Sequence, residues 1–217
     1  MMHRVIVRAM AAVLLAACEA LTGGCAAGNT HDYASAPLSL GAAGNGRLAV
    51  AVSDRRAYVV SGAKRASFVG LSRTGIGTPT DVLTSSGRPM AAEWTDAIVR
   101  AAKLRGFDAQ AVPLGSSDEA GAAIARLRSA SARRCLLFTV DEWKSDTYVN
   151  TTLHFNVTLE VLDGSGALLA RKTIGGKDDL SGDAVNASDR ARRSVLQAFQ
   201  TKISQMLGET DIVRALK

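Results

Sequence analysis

Charged residues gather where the first apolar run of the chain ends. Asp54, Arg55 and Arg56 follow "RLAVAVS" directly, and Arg73 and Asp81 lie in the same polar, glycine-rich stretch, residues 54–88. Guanidinium groups suit an acidic partner, such as a lipid headgroup or a cell-wall carboxylate, and glycines let backbone donors approach a ligand closely. A carboxylate at Asp54 or Asp141 would serve a hydrolase only within a cleft that raises its pKa. Alternation sends Arg55 and Arg56 in opposite directions, so at most one of them pairs locally. The competing reading of the segment is an intramolecular hairpin in which Asp54 holds an arginine. Tyr58, Val59, Val60, Phe68, Val69 and Leu71 give it too much apolar character for simple disorder.

Other reactive types are sparse. His154 alternates onto the polar face of a strand, and Cys135, inside "CLLFTV", has no ligand partner nearby and reads as a buried structural thiol. "GIGTPT", residues 75–80, lacks the third glycine and the helix start of a dinucleotide loop. Asp141/Glu142 and Asp178/Asp179 are adjacent acids, which a strand points to opposite faces, so neither makes an acid–base dyad. The residues imply no metal and no cofactor, and a non-catalytic protein.

Two more thiols, Cys18 and Cys25, follow a short apolar run, residues 9–17, itself preceded by His3, Arg4 and Arg8. A basic start, a short apolar core and small residues are the layout of an export signal. At about 1.5 Å per residue the run is too short to cross a hydrocarbon core about 30 Å thick. Leu15-Ala16-Ala17-Cys18 resembles the lipobox of bacterial lipoproteins. The resemblance implies a signal peptide over 1–17 and acylation of Cys18 with palmitate-type chains. Two or three such chains, at about 0.8 kcal/mol per buried methylene, anchor a protein stably to a membrane. Glu19 in place of Asp implies the outer membrane, facing the periplasm. Thr22-Gly23-Gly24-Cys25 is the alternative attachment site, but it leaves Glu19 within the apolar segment, where a carboxylate is costly.

The 217 residues carry 26 Lys and Arg against 20 Asp and Glu, a formal charge of +6. Loss of residues 1–17 removes Arg4 and Arg8 and no acid, leaving +4. Acids are interspersed and aromatics are only 5% of residues, so the basic stripe with stacking rings of a nucleic-acid binder is absent, and nucleic acid is excluded as a partner. Abundant alanine and few rings predict a mostly aliphatic core. Residues 18–46, rich in Ala, Gly, Ser, Thr and Asn, read as a flexible tether, and 47–217 as a single α/β domain.

Within that domain, residues 47–53 predict a strand, and 57–60 and 67–71 short strands. Met90, Trp94, Ala97, Ile98 and Ala101 fall on one face of a helix that Gly106 stops. Residues 107–114 predict a strand, 116–132 a second helix, and 135–140 a central strand apolar on both faces. After a link at 144–147, Val149, Leu153, Phe155, Val157, Leu159 and Val161 alternate with polar residues through 148–162, the clearest strand in the chain. "DGSG", residues 163–166, turns it back into 167–175. A final helix spans 187–207, with Val195, Leu196, Phe199, Ile203, Met206 and Leu207 inward. Helical crossovers make the first strands parallel. The fold expected is therefore a single mixed sheet with a parallel βαβαβ start, then an antiparallel meander, with helices packed on it.

The phrases "DRRAY" (54–58), "FVG" (68–70) and "GIGTPTDV" (75–82), with "LEVLDGSG" (159–166), resemble the YajG-like bacterial lipoproteins. The resemblance spans residues 47–106 and the later hairpin, and implies a location and a fold rather than an activity. The function expected is a membrane-anchored envelope lipoprotein that binds or scaffolds an envelope protein, peptidoglycan or lipopolysaccharide through residues 54–88 and an exposed sheet edge. An envelope hydrolase and an accessory subunit of a secretion or transport assembly are the alternatives.

Overall fold

The computed structural model describes residues 30–115, 118–180 and 187–217. Cys18, Cys25 and the expected signal segment lie outside them. One sheet of eight strands organises everything else: β1 (Thr30–His31), β2 (Arg47–Asp54), β3 (Phe68–Arg73), β4 (Pro79–Thr84), β5 (Asp108–Ala111), β6 (Arg134–Thr147), β7 (Thr151–Asp163) and β8 (Leu168–Asp179). Its order is β1-β4-β3-β6-β2-β5, with β7 and β8 continuing from β6. The helices are α1 (Ala57–Val60), α2 (Met90–Leu104), α3 (Ala120–Ser129), α4 (Ala187–Gly208) and α5 (Thr210–Leu216).

β6 is the spine. Antiparallel β7 occupies one edge of it from Arg134 to Thr147. The other edge is shared end to end: parallel β2 takes residues 134–140 and parallel β3 takes 145–147. β5 lies parallel to β2 on its far side. The expected βαβαβ start and antiparallel meander are both present. Connections through α2 and α3 pass to opposite faces of the sheet, as their packing partners show. On one face Leu48, Val50, Val52, Leu136 and Phe138 meet α2, α4 and α5. On the other Ala49, Ala51, Cys135 and Leu137 meet Ala123 and Leu127 of α3. Burial on both faces is why "CLLFTV" carries no alternation.

The register of β7 follows its alternation: Leu153, Phe155, Val157, Leu159 and Val161 are all buried. Its start does not. β6 runs on through 144–147, the turn falls at Tyr148–Asn150, and Val149 is exposed. Alternating polar and apolar residues on both arms of a hairpin do not mark where the chain reverses.

Two other expectations are corrected. Ala57–Val60 is a single helical turn, not a strand. In so short an apolar run period two cannot be told from a turn of helix. The core is mostly aliphatic, as expected. Within it the few rings converge, with Tyr33, Trp94, Trp143 and Phe199 in mutual contact at centroid distances of 4.7–6.5 Å. The second correction concerns the tether. Its described part, residues 30–46, is a strap packed on the domain. Tyr33, Ala36, Leu40 and Ala42 are buried. The Tyr33 amide donates to Glu93 Oε2 at 3.0 Å, Trp143 Nε1 donates to the Tyr33 hydroxyl at 2.9 Å, and the Gly41 amide donates to the Leu207 carbonyl at 3.2 Å. An irregular strap has no periodicity to betray it.

The strap begins with a buried histidine. His31, in β1, has no hydrogen-bond partner for either ring nitrogen among the described residues. Burial, aided by the Arg192 charge, holds its pKa down to about 4, against 6.5 unperturbed. The unfolded chain therefore takes up the proton more readily between those values. The stability this neutral ring secures is complete above pH 6.5 and is lost as pH falls towards 4, by about 2–4 kcal/mol. His31→Leu should flatten that part of the pH–stability curve in urea titrations. In a separate melting series, Val157→Asp buries an unpaired carboxylate and should cost several kcal/mol, whereas Thr158→Asp, on the opposite face, should cost less than about 1 kcal/mol. Equal losses would overturn the register of β7.

Candidate functional site

The sharing of one β6 edge by two strands creates a problem that Asp54 and Arg56 solve. Among the described residues no strand pairs with that edge between Val140 and Ser145, and β6 carries a bulge there. The Arg55 amide caps the Val140 carbonyl at 2.8 Å. The Arg56 guanidinium fills the rest of the gap. Nε and Nη2 donate to the two oxygens of Asp54 at 2.7 and 2.6 Å, and Nη1 donates to the carbonyls of Phe68 at 2.6 Å and Trp143 at 3.2 Å. Arg56 is 0% exposed. Only a planar fork with five donors can serve a carboxylate and two carbonyls at once. Asp54 and Arg56 are thus a structural clamp, and the hairpin alternative weighed for this segment describes them.

Several other charged residues of 54–88 are also held internally, although Arg65 is exposed. Lys64 Nζ meets Asp81 at 2.5 Å. Arg73 grips Asp146 with Nε at 2.9 Å and Nη2 at 2.7 Å, and holds that carboxyl below the usual carboxylate range. Arg55 points away from the clamp, as alternation requires, and donates to the Asp118 carbonyl at 3.3 Å. The Tyr58 hydroxyl donates to Glu142 at 2.7 Å; burial first, then that carboxylate, pushes its pKa far up, so it acts as a donor rather than a titrating acid. Asp141 is exposed on the bulge.

Most of what the segment presents outward is polar, with one large apolar exception at its far turn. "GIGTPT" is the turn between β3 and β4, closed by the Gly77 amide on the Thr74 carbonyl at 2.8 Å, with Gly77 at φ +85°. Ile76, at its apex, is 91% exposed. β3 runs parallel to β6, so the β6–β7 turn ends at the same side of the sheet. There Tyr148 donates its hydroxyl to the Gly75 carbonyl at 3.2 Å. Tyr148 and Val149 are 49% and 66% exposed. That hydrogen bond joins the two hairpin tips, each of which exposes large apolar side chains. Sequence reasoning missed it, although an isoleucine between two glycines was a signal that could have been used. Gly70 makes the join possible: a Cβ there would lie 2.7 Å from the Ser145 carbonyl oxygen.

A second feature is a cleft of about 250 Å³ beyond the carboxyl ends of β2 and β5, where the connections to α2 and α3 leave on opposite faces. Open α/β sheets commonly bind ligands at such a switch point. Here Val52, Ala91, Ala92, Pro113 and Leu114 line it, and the charges at its wall, Arg88 and Asp96, neutralise one another at 2.7 Å. The other polar side chain of the lining, Thr95, donates its hydroxyl to the Ala91 carbonyl at 2.7 Å. Among the described residues, no group of three His, Cys, Asp or Glu is placed to hold a metal.

No protein-family model matches the chain, and no curated protein matches it. Among solved structures, it is similar to a Xanthomonas campestris protein of the family DUF330. That match has 15% identity and a TM-score of 0.51, over 84% of this chain and 90% of that one. The PelC dodecamer of Paraburkholderia phytofirmans aligns at 22% identity and a TM-score of 0.34, over 74% of this chain and 93% of that one. Lipoprotein GNA1162 of Neisseria meningitidis aligns at 11% and 0.30, over 74% and 99%. The first likeness is one of fold.

The clamp and the outer ion pair should respond differently to truncation. Arg56→Ala leaves a buried aspartate and two buried carbonyls unserved and should cost about 3–5 kcal/mol in chemical denaturation. Arg73→Ala removes a half-exposed pair and should cost about 1 kcal/mol or less, and Arg55→Ala less still. Comparable losses for Arg55 and Arg56 would show that the clamp is not structural.

Proposed function

We propose that this protein is a lipid-anchored envelope lipoprotein that binds, and does not transform, its partner. The observation that carries the binding reading is the fate of the residues 54–88. Asp54, Arg55, Arg56, Lys64, Arg73 and Asp81 are engaged within the domain, Arg65 is exposed, and Ile76, with Tyr148 and Val149, is held out in solvent by two braced hairpins. An exposed apolar cluster on rigid backbone marks an interaction surface. Its chemistry suits an apolar groove on another envelope protein better than a glycan, which asks for hydrogen bonds. A hydrolase reading loses its best carboxylate, because both Asp54 oxygens are engaged by Arg56.

The lipobox-like Leu15–Cys18 supports the anchor. Eleven residues separate Cys18 from Thr30. Fully extended they reach about 40 Å, which keeps the domain within one protein diameter of the lipid. Among the described residues no helix is long and apolar enough to cross a membrane.

Labelling cells with an alkynyl fatty acid should mark the wild type and Cys25→Ser but not Cys18→Ser; loss of label in Cys25→Ser alone would move the anchor to Cys25. Binding is tested by a photo-crosslinking residue placed at 76 in the full chain in intact cells. A discrete adduct is expected there and not with the crosslinker at 104, another highly exposed apolar site, on α2. Ile76→Asp should abolish the adduct formed from position 148 while shifting the melting temperature by less than about 2 °C. Equal adducts from 76 and 104 would defeat the reading.

A further inference from the structure

The chain enters the domain from a definite side. β1 pairs parallel with β4, Thr30 opposite Leu83 and His31 opposite Thr84. β4 runs away from the turn that carries Ile76, so β1 does as well, and the chain reaches Thr30 from the side on which Ile76 stands. Four residues lead back from Leu83 to Pro79, about 13 Å of strand. Ile76 lies at least that far beyond Thr30. Tyr148 and Val149 share its side, because Ser72 of β3 is opposite Thr147. The sheet's other end is where β2 and β6 begin, at Arg47 and Arg134, with Lys217 beside them. Thr30, through Leu83, is level with Phe68, whose carbonyl shares one Arg56 nitrogen with that of Trp143. From Trp143 back to Arg134 is nine residues of β6, about 30 Å.

Chain length then selects an orientation. From an anchor at Cys18, twelve steps lead to Thr30, at most about 40 Å. With the Arg47 end toward the bilayer, the chain would have to reverse before Thr30 and run about 30 Å beside the sheet before meeting lipid. Holding it so stretched costs conformational entropy. With the tips toward the bilayer it keeps the direction β1 already has and passes Ile76 with length to spare. Cys25 as the anchor makes the choice absolute. Its five steps reach about 17 Å, enough to pass Pro79 but not the other end.

The chemistry of the tips selects among what a membrane offers. Elements that settle among lipid headgroups combine apolar side chains with Lys or Arg. Residues 74–80 and 147–151 contain no charge, and Arg73 beside them is held by Asp146. The Tyr148 hydroxyl is turned back on the Gly75 carbonyl rather than outward. A neutral knob on a braced backbone fits an apolar groove of a protein.

We infer that the hairpin tips face the membrane that carries the anchor, and that their partner is a protein embedded in that membrane, with an uncharged groove for Ile76 at its surface. The inference rests on the lipid anchor and on the binding reading of Ile76, and adds the orientation and the partner's place.

Two measurements test it. The acylated full chain, with whichever of Cys18 and Cys25 bears no lipid changed to serine, is placed in vesicles of phosphatidylethanolamine and phosphatidylglycerol that carry an energy-acceptor headgroup. A fluorescent donor sits on Ile76→Cys or on Lys217→Cys; Cys135 is buried and stays unlabelled. Transfer should be several-fold more efficient from 76. Equal transfer, or more from 217, would overturn the orientation whatever the tip binds. In cells, a benzophenone is attached to Ile76→Cys through a disulfide, photolysed, and the adduct reduced in isolated membranes. The released partner should stay with the membranes through an alkaline carbonate wash. A partner that the wash removes would overturn its place in the membrane and leave the binding reading standing. Quenching of the probe at 76 by brominated acyl chains, with no protein adduct in cells, would assign the tips to lipid and defeat both.

Discussion

The Arg56 guanidinium holds together a sheet that would otherwise have a hole in it. Two strands cannot meet end to end on one neighbour without leaving carbonyls between them, and buried carbonyls must be served. β2 leaves the β6 edge at Asp54, and β3 takes it up opposite Ser145. The fork placed between them satisfies Phe68 and Trp143 and is neutralised by the last residue of β2. Such a pair is costly to desolvate, and its value lies in specifying geometry rather than adding net stability. It sets the angle at which the β3–β4 hairpin departs, and through that hairpin the position of β1 and of Ile76.

The strap and the aromatic nest depend on the same junction. Trp143, whose carbonyl is held by Arg56, turns its ring to the other side of the chain, against Trp94 and Tyr33. Tyr33 in turn ties the strap to Glu93 of α2, a fully buried carboxylate that also accepts from the Ser86 hydroxyl at 2.6 Å. One continuous polar and aromatic network therefore joins the chain leading in, α2 and the spine of the sheet.

The β3–β4 hairpin that departs from this junction is braced by Lys64–Asp81 and Arg73–Asp146, so Ile76 stands out from a fixed backbone.

Periodicity made much of this legible in the sequence. The stripe of Met90, Trp94, Ala97, Ile98 and Ala101, the alternation of Leu153 to Val161 and the unbroken "CLLFTV" each report a local environment that one residue spacing encodes, and from them the mixed sheet and its helices follow. The lipobox-like Leu15–Cys18 is likewise read from adjacent residues. The candidate site was legible only in outline. That at most one of Arg55 and Arg56 pairs with Asp54 follows from strand geometry, but that the pair is a buried clamp rather than a binding site depends on Phe68 and Trp143, which are 12 and 87 residues distant from Arg56. The Arg73–Asp146 bridge, the meeting of Gly75 with Tyr148 and the strap on Glu93 are of the same kind. Sequence spacing specifies which face a residue occupies. Which two faces meet is decided by the packing of the whole sheet, and in this protein that separates a charge available to a partner from one already spent.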